Sequence, residues 1–383
     1  MEFALSEDQQ ALANAAREFS RVELAPHYRR REQEGLLDRD VLRRMGELGF
    51  FGIELPEAYG GLGQDAVTAG LVLEALCGDD MNFGYVSVTV SLLGQILQNY
   101  GKPEVVRPWI EGMLAGLVLP AIALTEPRGG SDAAHLVFSA RRDGDHYVLN
   151  GEKTSISLAT QADFCVLFAR TGSAESGARG VSAFLVPLDD PNIKKTGFED
   201  HGTISVGRGS LFFDDVRIPA DHLLGEQDQG FIQVMQGFDY SRALLGILCL
   251  AVARRSLDEA WEHTRTREAF GKPLAAYQGV SFPLAEAETH ILGARLVCLY
   301  TLWLKDQDRS HTAEAAMCKW WGPKLAYDIV NTCLLTHGHG GYSKELPLEQ
   351  RMRDLLGLQI GDGTAQIMKL VIARSHAGRD VVA

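Results

Sequence analysis

The segment Ala123-Leu-Thr-Glu-Pro-Arg-Gly-Gly-Ser-Asp132 lies where the hydrophobic pattern of the chain changes. Before it, apolar residues recur at helical spacings of three and four, as at Leu12, Ala16 and Phe19. After it, short apolar runs alternate with turn signals, which is typical of β-strands. The segment therefore predicts a boundary between a helical region and a β region.

The β region is predicted to contain hairpins and several further strands. Asp143-Gly144 predicts a tight turn between "VFSARR" and "HYVLN", and Asn150-Gly151 predicts a second turn into the next strand. The apolar runs "DFCVLFAR", "GVSAFLVP" and "SLFFDDVRIP" predict three more strands.

Beyond Pro219 the helical period returns and continues to the end of the chain. It predicts long helices around 231–265, 275–305 and 312–335, and Gly322-Pro323 predicts a kink or a boundary in the third. We therefore expect a mainly α protein with a central β domain. The expected domains are an N-terminal α-helical domain at 1–118, a middle β domain at 119–228 and a C-terminal α-helical domain at 229–383.

Composition favours a soluble protein with a large core, since 46% of the 383 residues are hydrophobic. The net charge of −13 argues against a nucleic-acid surface, and the basic run Arg29-Arg30-Arg31 is predicted to lie on a solvated helix face. No apolar segment reaches about 18 residues, and the first ten residues resemble neither a secretory signal nor a transit peptide. A cytoplasmic location without a membrane span is expected.

The six cysteines are widely spaced and form no C-x-x-C pair, so buried thiols in a reducing compartment are predicted. His337-Gly-His339 has no nearby third ligand, and we predict no metal site. No predicted strand is followed by G-x-G-x-x-G, so any dinucleotide would bind without a Rossmann fold.

The segment "ALTEPRGGSD" resembles, nearly residue for residue, the T-E-P-x-x-G-S-D signature of the acyl-CoA dehydrogenase family. Four further stretches resemble that family in the same order: "LPEAYGGLG" (55–63), "NGEK" (150–153), "RTREAFGKPLAAYQ" (265–278) and "LPLEQRMRD" (346–354). The resemblance covers essentially the whole chain. It implies an N-terminal helical domain, a middle β-barrel and a C-terminal four-helix bundle. It also implies FAD, an acyl-CoA substrate, a homotetramer and an electron-transfer flavoprotein as acceptor.

The resemblance implies contacts to FAD from two subunits. Those from one chain are Leu124, Thr125, Ser131, Ser155, Ser157, Thr364 and Gln366, and those reaching a neighbour's FAD are Arg267, Phe270 and Gln278. Hydroxyls and backbone N–H groups at a tight turn can stabilise a reduced flavin. A guanidinium can bind phosphate and a phenyl face can stack on adenine. The alternative for the second group is a surface helix with one buried Phe.

The resemblance also implies residues that bind the thioester substrate. Asp239 and Arg242 match the family's D-x-x-R element, which holds the pantetheine arm, although residues at this spacing could also form a simple ion pair. Ser131 would reach the CoA chain or the cofactor. Some relatives carry their base as a Glu immediately before the Arg, but Ser241 occupies that position here and cannot serve.

The segment "LQIGDGTAQIMK" (358–369) aligns with the family segment that carries the catalytic base. An Asp between glycines is often a turn residue or a helix N-cap. The reaction requires a bare carboxylate that removes the α-proton while hydride leaves the β carbon for flavin N5. By this alignment Asp362 is the predicted catalytic base, and the amide of Gly363 would bind the thioester oxygen.

This sequence departs from the family pattern at several site positions. Most relatives have Glu at the position of Asp362, whereas cyclohexane- and cyclohexene-carboxyl-CoA dehydrogenases carry Asp, so we predict an alicyclic substrate. Ser155-Ile156-Ser157 stands where relatives place Trp or Phe, then Ile and Thr, beside the flavin. Leu335 replaces a Gln that usually helps bind the partner's FAD, and Ile204 replaces a loop Arg.

Two alternatives to a dehydrogenase are left open by these residues. An oxidase on the same scaffold, similar to nitroalkane oxidase or acyl-CoA oxidase, stays open because the aromatic residue is missing at Ser155, whereas Asp239 and Arg242 favour a CoA ligand. A catalytically silent flavoprotein or binding scaffold would need Asp362 only as a cap.

Overall fold

The computed structural model describes residues 4–382, apart from the side chain at 174. Helices form both ends of the chain and strands form its middle, so the predicted order of helices, β and helices is confirmed. The first helices are α1 (Glu7–Phe19), α2 (Tyr28–Glu34), α3 (Arg39–Glu47), α4 (Ala66–Cys77), α5 (Met81–Tyr100) and α6 (Pro103–Leu114). The last are α7 (Gly230–Thr266), α8 (Gln278–Asp306), α9 (Thr312–Thr336), α10 (His339–Tyr342), α11 (Leu348–Gly357) and α12 (Ala365–Ala377).

Local sequence explains where α1 begins. The hydroxyl of Ser6 accepts a hydrogen bond from the Gln9 amide, and the Gln9 side chain accepts one from the Ser6 amide, each at 3.1 Å. This reciprocal arrangement satisfies two donors at the start of α1. In contrast, α5 is apolar on nearly every side and contacts α4, α6 and α7. Such a helix belongs in the core.

Eight strands form the central sheet in the order β6-β7-β3-β2-β4-β5-β8, with β1 parallel to β4. The strands are β1 (Pro120–Ala123), β2 (Ser139–Asp143), β3 (His146–Ile156), β4 (Phe164–Arg170), β5 (Val181–Pro187), β6 (Ile193–Gly197), β7 (Gly209–Pro219) and β8 (Leu223–Leu224). The three strands predicted from apolar runs are confirmed as β4, β5 and β7, whereas β6 was not predicted. In the described part of the chain β6 and β8 are not paired with each other, and closure into a barrel stays a prediction.

The Asp-Gly and Asn-Gly turn signals have different outcomes. Asp143 pairs with His146 across the predicted hairpin, which is confirmed. The second predicted turn is wrong, because β3 continues through Asn150 and Gly151 with a shift of register against β7. The Asn150 side chain accepts from the Asp215 amide at 2.9 Å and donates to the Asp215 carboxylate at 2.8 Å. A Cβ at Gly151 would lie 2.8 Å from the Phe138 ring, so glycine allows a bulge here.

The C-terminal helices pack around α9, which contacts α7, α8, α11 and α12. The three long predicted helices are confirmed, but the boundary predicted at Gly322-Pro323 is wrong because α9 runs through it. A Cβ at Gly322 would lie 2.9 Å from the Cα of Gly246 in α7. These two small residues therefore allow α7 and α9 to cross closely.

One polar residue predicted to be solvated is buried. Arg31 is 1% exposed and pairs with Asp80 at 2.8 Å, while its guanidinium also donates to the Leu24 carbonyl. The prediction of a solvated face was wrong for this residue because its partner lies on another helix.

All six cysteines are free and buried, as predicted. Among the helices of residues 4–382, none has the length and apolar character needed to cross a bilayer.

A hairpin of two short strands, β9 (Glu268–Ala269) and β10 (Lys272–Pro273), lies between α7 and α8. It carries Phe270 at its tip in a left-handed conformation, with φ of 51°. Neither strand belongs to the central sheet.

Candidate active site

Asp362 lies in the turn between α11 and α12. Its φ is 53°, a left-handed conformation that is uncommon for a residue with a side chain, and the φ of Gly363 is 101°, which glycine adopts without strain. The N-cap of α12 is Thr364, whose hydroxyl accepts from the Ile367 amide at 3.4 Å. The turn interpretation of Asp362 is therefore confirmed and the cap interpretation is wrong.

Two cations hold the backbone of this turn. Arg242 of α7 donates from Nε to the carbonyl of Asp362 at 3.4 Å. Lys319 of α9 donates from Nζ to the carbonyls of Leu358 and Gly363, at 2.6 and 3.2 Å. Within residues 4–382, no donor lies at hydrogen-bonding distance from the Asp362 carboxylate. The side chain is therefore available to a bound ligand.

The surroundings of Asp362 make its carboxylate more basic. Burial raises the pKa of Asp362, and the positive charges of Lys319 and Arg242 oppose that rise. An acid with a raised pKa binds protons more strongly than an ordinary aspartate, which suits proton abstraction near neutral pH.

Asp239 and Arg242 form an ion pair on one face of α7. The guanidinium of Arg242 lies 3.2 Å from the Asp239 carboxylate, and the hydroxyl of Thr312 donates to the other Asp239 oxygen at 2.5 Å. The ion-pair alternative is thus confirmed, and contact with a pantetheine arm stays a prediction. Ser241 is buried, and its hydroxyl donates to the carbonyl of Phe238 within the helix at 3.4 Å.

Tyr85 of α5 connects the Asp362 region with the sheet. Its hydroxyl lies 3.0 Å from that of Ser157. Burial raises the pKa of Tyr85, and the negative charge of Asp362 raises it further, which puts the two groups in one neighbourhood. Sequence reasoning missed both Tyr85 and Lys319. A lysine within the apolar stripe of α9 was a usable signal, whereas nothing in the local sequence distinguishes Tyr85 from an ordinary core tyrosine.

The loop after β1 is fastened to β3 by a buried ion pair. Lys153 lies 2.8 Å from the Glu126 carboxylate and donates to the Leu124 carbonyl at 2.9 Å. The amide of Thr154 donates to the carbonyl of Thr125, also at 2.9 Å. These bonds put Leu124 and Thr125 beside the segment of β3 that ends in the predicted cofactor residues Ser155 and Ser157.

Several predicted cofactor residues have side chains with no internal partner. The hydroxyls of Thr125, Ser131 and Ser155 form no hydrogen bond within the part of the chain that the structure describes. Ser131 and Ser155 are exposed, and Ser155 has a φ of 56° at a second irregularity of β3. These donors can therefore bind a polar ligand.

A second group of predicted cofactor residues lies far from Asp362. Arg267 is the C-cap residue of α7. At a helical rise of about 1.5 Å per residue, it lies about 37 Å from Arg242 along the helix axis. Phe270 is 97% exposed, so the alternative of a surface helix with one buried Phe is wrong. Gln278 begins α8 and is exposed. The described residues contain no side-chain partner for Arg267 or Gln278.

The structure thus brings together only part of the predicted site. Asp362, Gly363, Asp239 and Arg242 lie together, and Ser157 joins them through Tyr85. Gln366 is exposed in the first turn of α12. Two further positions depart from the family pattern. Leu335 is exposed near the end of α9, and Ile204 is half-buried beside Gly35. Nothing in the structure explains either substitution.

Three domain models of one protein family match this chain in order. The acyl-CoA dehydrogenase N-terminal domain matches residues 6–117, the middle domain residues 121–216, and the C-terminal domain residues 228–377.

Related proteins and solved structures are similar along nearly the whole chain. A probable acyl-CoA dehydrogenase, YngJ of Bacillus subtilis, is 35% identical over 98% of this chain and 99% of its own. A caffeyl-CoA reductase–Etf complex subunit, CarC of Acetobacterium woodii, is 32% identical over 96% of this chain and 98% of its own. Butyryl-CoA dehydrogenase from Megasphaera elsdenii has a TM-score of 0.94 at 29% identity, over 98% of this chain and 99% of its own. PigA in a structure with FAD and proline has a TM-score of 0.94 at 25% identity, over 99% of this chain and 100% of its own.

Proposed function

This chain belongs to the acyl-CoA dehydrogenase family, FAD-dependent oxidoreductases that act on acyl-CoA, and we propose that Asp362 is its catalytic base and that its substrate is an alicyclic acyl-CoA. The observation that carries the proposal is the unpaired Asp362 carboxylate in a turn whose backbone is held by Lys319 and Arg242. A carboxylate committed to an ion pair would be a poor base.

In the proposed reaction, Asp362 removes the proton from the α carbon of the thioester. The Gly363 amide donates to the thioester oxygen as negative charge develops there, and a fixed donor stabilises that charge without reorganisation. Asp239 and Arg242 hold the pantetheine arm, and the Ser131 hydroxyl contacts the CoA chain or the cofactor. When bound, FAD would supply the acceptor for the hydride that leaves the β carbon.

The residues present fit FAD. Unpaired hydroxyls on the loop after β1 and on β3 match the polar edge of a flavin ring, and Ser157 lies beside them. We assign flavin-side contacts to Leu124, Thr125, Ser131, Ser155, Ser157, Thr364 and Gln366. The free guanidinium of Arg267, the amide of Gln278 and the exposed ring of Phe270 suit a diphosphate and an adenine. We propose that these three residues serve the FAD of a neighbouring subunit, and the separation of about 37 Å between Arg267 and Arg242 along α7 supports this.

An alicyclic acyl group follows from the short side chain of the base. Asp reaches about 1.5 Å less far than Glu, one C–C bond length, and a misplacement of this size can reduce a rate about a hundredfold. We propose that a ring-shaped acyl group, whose α carbon lies within the ring, binds with its α-proton closer to the shorter acid. Cyclohexanecarboxyl-CoA and its cyclohexene analogue are therefore the proposed substrates.

A homotetramer and an electron-transfer flavoprotein complete the proposal. Several large apolar side chains of α8 are exposed in the single chain: Phe282, Leu292, Leu296, Tyr300 and Trp303. An exposed apolar stripe on this scale supports contact with another subunit. The relative CarC is named as part of a complex with Etf, which supports a flavoprotein as the electron acceptor.

The test is an anaerobic titration of the FAD-loaded protein, followed by flavin absorbance. Cyclohexanecarboxyl-CoA, cyclohexene-carboxyl-CoA and a straight-chain acyl-CoA are compared. We expect the flavin to bleach with the cyclic thioesters and much less with the straight chain. Equal bleaching by all three would remove the alicyclic assignment, and no bleaching by any would remove the dehydrogenase assignment for these thioesters.

Asp362→Asn tests the base directly. We expect the variant to keep FAD and to bind CoA thioesters, because it keeps nearly the same shape, but to lose nearly all flavin reduction. Asp308→Asn is the matched control, since Asp308 is an exposed aspartate that also has a positive φ, of 51°. Flavin reduction at the wild-type rate in Asp362→Asn would show that another group is the base.

An oxidase is the second candidate function, and the exposure of Ser155 favours it. Where relatives place an aromatic side chain beside the flavin, this chain presents a small exposed hydroxyl. Catalytic oxygen consumption with no added acceptor is the expected signature of the oxidase. Turnover only with an electron-transfer flavoprotein or a dye would exclude it.

A further inference from the structure

Lys319 is a fully buried ammonium group in the middle of α9. Its residue is 1% exposed, and the surrounding positions of the helix are apolar. Burial lowers the pKa of Lys319, and the charge of Asp362 opposes that change. A lysine is seldom buried to this extent without a partner, so the identity of its acceptors matters.

The acceptors of Lys319 are the two backbone carbonyls that bracket the turn of Asp362. Nζ donates to Leu358 at 2.6 Å, before the turn, and to Gly363 at 3.2 Å, immediately after Asp362. Arg242 supplies a third bond to the carbonyl of Asp362 itself. The turn is therefore fixed to α9 and α7 through its carbonyl groups, while its carboxylate is left without a protein donor.

We propose that Lys319 is a positioning residue for Asp362: it fixes the left-handed turn that presents the carboxylate, and its charge keeps that carboxylate ionised without pairing with it. This inference rests on the proposed role of Asp362 as the base. The distinction between pairing and proximity is important, because a direct Lys–Asp ion pair would compete with the substrate proton. A cation bonded to the backbone acts on the carboxylate through its field alone.

The charged and titratable groups that face Asp362 come from three elements. Lys319 belongs to α9, Arg242 to α7, where it is paired with Asp239, and Tyr85 to α5 with a pKa raised by burial. Because Asp239 offsets part of the charge of Arg242, Lys319 is the one of these cations that lacks a carboxylate partner in the described part of the chain. Its removal is expected to raise the pKa of Asp362, since the ionised form loses a favourable field.

The experiment compares Lys319→Met, Lys319→Arg and the control Lys324→Met in FAD-loaded protein. Lys324 is an exposed lysine of the same helix, paired with Asp328. Anaerobic flavin reduction by a thioester that reduces the wild type is measured against pH. For Lys319→Met we expect the maximal rate to fall at least about tenfold and the acid limb of the profile to move upward by about one pH unit. Lys319→Arg is expected to restore the position of the limb, and Lys324→Met to match the wild type.

A second readout does not depend on turnover. Amide hydrogen exchange of peptides covering 358–368 should be faster in Lys319→Met than in the wild type, and unchanged in Lys324→Met, because the turn has lost two hydrogen bonds. If Lys319→Met does not retain FAD, Lys319→Gln, which keeps a donor and loses the charge, is measured in the same way. A wild-type pH profile together with wild-type exchange in the Met or Gln variant would overturn the proposal.

The outcomes separate this inference from the proposed function. If the wild type is not reduced by any thioester, the proposed function fails, and hydrogen exchange alone decides whether Lys319 fixes the turn. If Asp362→Asn abolishes reduction while Lys319→Met behaves as the wild type, the base is confirmed and the role of Lys319 is wrong.

Discussion

Asp362 combines two properties that rarely occur in one aspartate. Its backbone is held in a left-handed turn, and its carboxylate has no donor from residues 4–382. Gly363 suits this turn, because its own φ is 101° and a Cβ there would lie 2.5 Å from the Met368 methyl group. A short side chain on a rigid turn allows the carboxylate to occupy only a small range of positions. Under the proposed role of Asp362 as the base, the geometry of the substrate must match the position of this short side chain.

Asp362→Glu tests this match between reach and substrate. The added methylene extends the acid by about 1.5 Å, so we expect flavin reduction by cyclic thioesters to fall and reduction by a straight-chain thioester to rise. The ratio of the two rates in anaerobic stopped-flow experiments is the measurement. An unchanged ratio would remove the argument that the length of the acid selects the acyl group.

At the scale of residues, sequence reasoning found the groups that belong to continuous motifs. Asp362, Asp239 and Arg242 were predicted because each lies in a recognisable segment, and the structure brings them together. Lys319 and Tyr85 were missed because their importance arises from contacts across helices that are distant in sequence. A lysine's reach to the carbonyls of Leu358 and Gly363 depends on how α9 packs against the final turn.

The β9–β10 hairpin carries an exposed aromatic residue that has no evident role within a single chain. It holds Phe270 almost fully exposed, at a positive φ, beyond the end of α7. Covering this phenyl ring with a partner would remove apolar surface from water, which is favourable. This exposure supports the proposal that the hairpin completes a site on another subunit.

Phe270→Ser is expected to reduce FAD retention and subunit association while leaving the fold of the chain intact. The side chain is 97% exposed, so its removal costs few contacts within its own chain. FAD content after gel filtration and molar mass by light scattering are the measurements, with circular dichroism as the check on folding. Leu117→Ser, another exposed apolar position, is the control. Full FAD content in an intact tetramer of Phe270→Ser would contradict the role of the hairpin.

The sheet shows why element boundaries could not all be predicted. Asp143-Gly144 and Asn150-Gly151 give the same local signal, yet only the first forms a hairpin. The difference lies in Asp215 of β7, which bonds the Asn150 side chain and keeps β3 extended beside it. Such a partner is invisible to a local pattern. The same reason applies to the boundary predicted at Pro323, because α9 continues through this residue where it packs closely on α7.

At the scale of the whole molecule, a buried polar cluster joins the N-terminal helices to the C-terminal ones. Asp354 of α11 accepts from the Tyr28 hydroxyl of α2 at 2.6 Å and from the Thr203 amide at 2.5 Å. Asp80, at the start of α5, pairs with Arg31. Burial raises the pKa of Asp354 to about 7 and that of Asp80 to about 6.

These raised pKa values predict an unusual dependence of stability on pH. An acid whose pKa is higher in the folded state than in the unfolded state binds more protons when folded, so its contribution is full below about pH 4 and is lost as the pH rises to about 7. The melting temperature of the wild type relative to Asp354→Asn should therefore decrease between pH 5 and pH 8. Thermal unfolding across this range is the measurement.

Asp40→Asn is the control for that series, because Asp40 is exposed at the start of α3. Its melting temperature relative to the wild type should not follow the same trend. A difference between wild type and Asp354→Asn that stays constant with pH would mean that Asp354 is ionised throughout the range.

The buried thiols offer a direct view of how this molecule opens. Cys165 belongs to β4, whereas Cys77, Cys249, Cys298, Cys318 and Cys333 belong to helices on either side of it in the chain. A thiol-reactive dye can reach none of them until the surrounding element separates from its neighbours. The order in which the six sites become labelled, read by peptide mass spectrometry, would thus record whether the sheet and the helices come apart together or in succession.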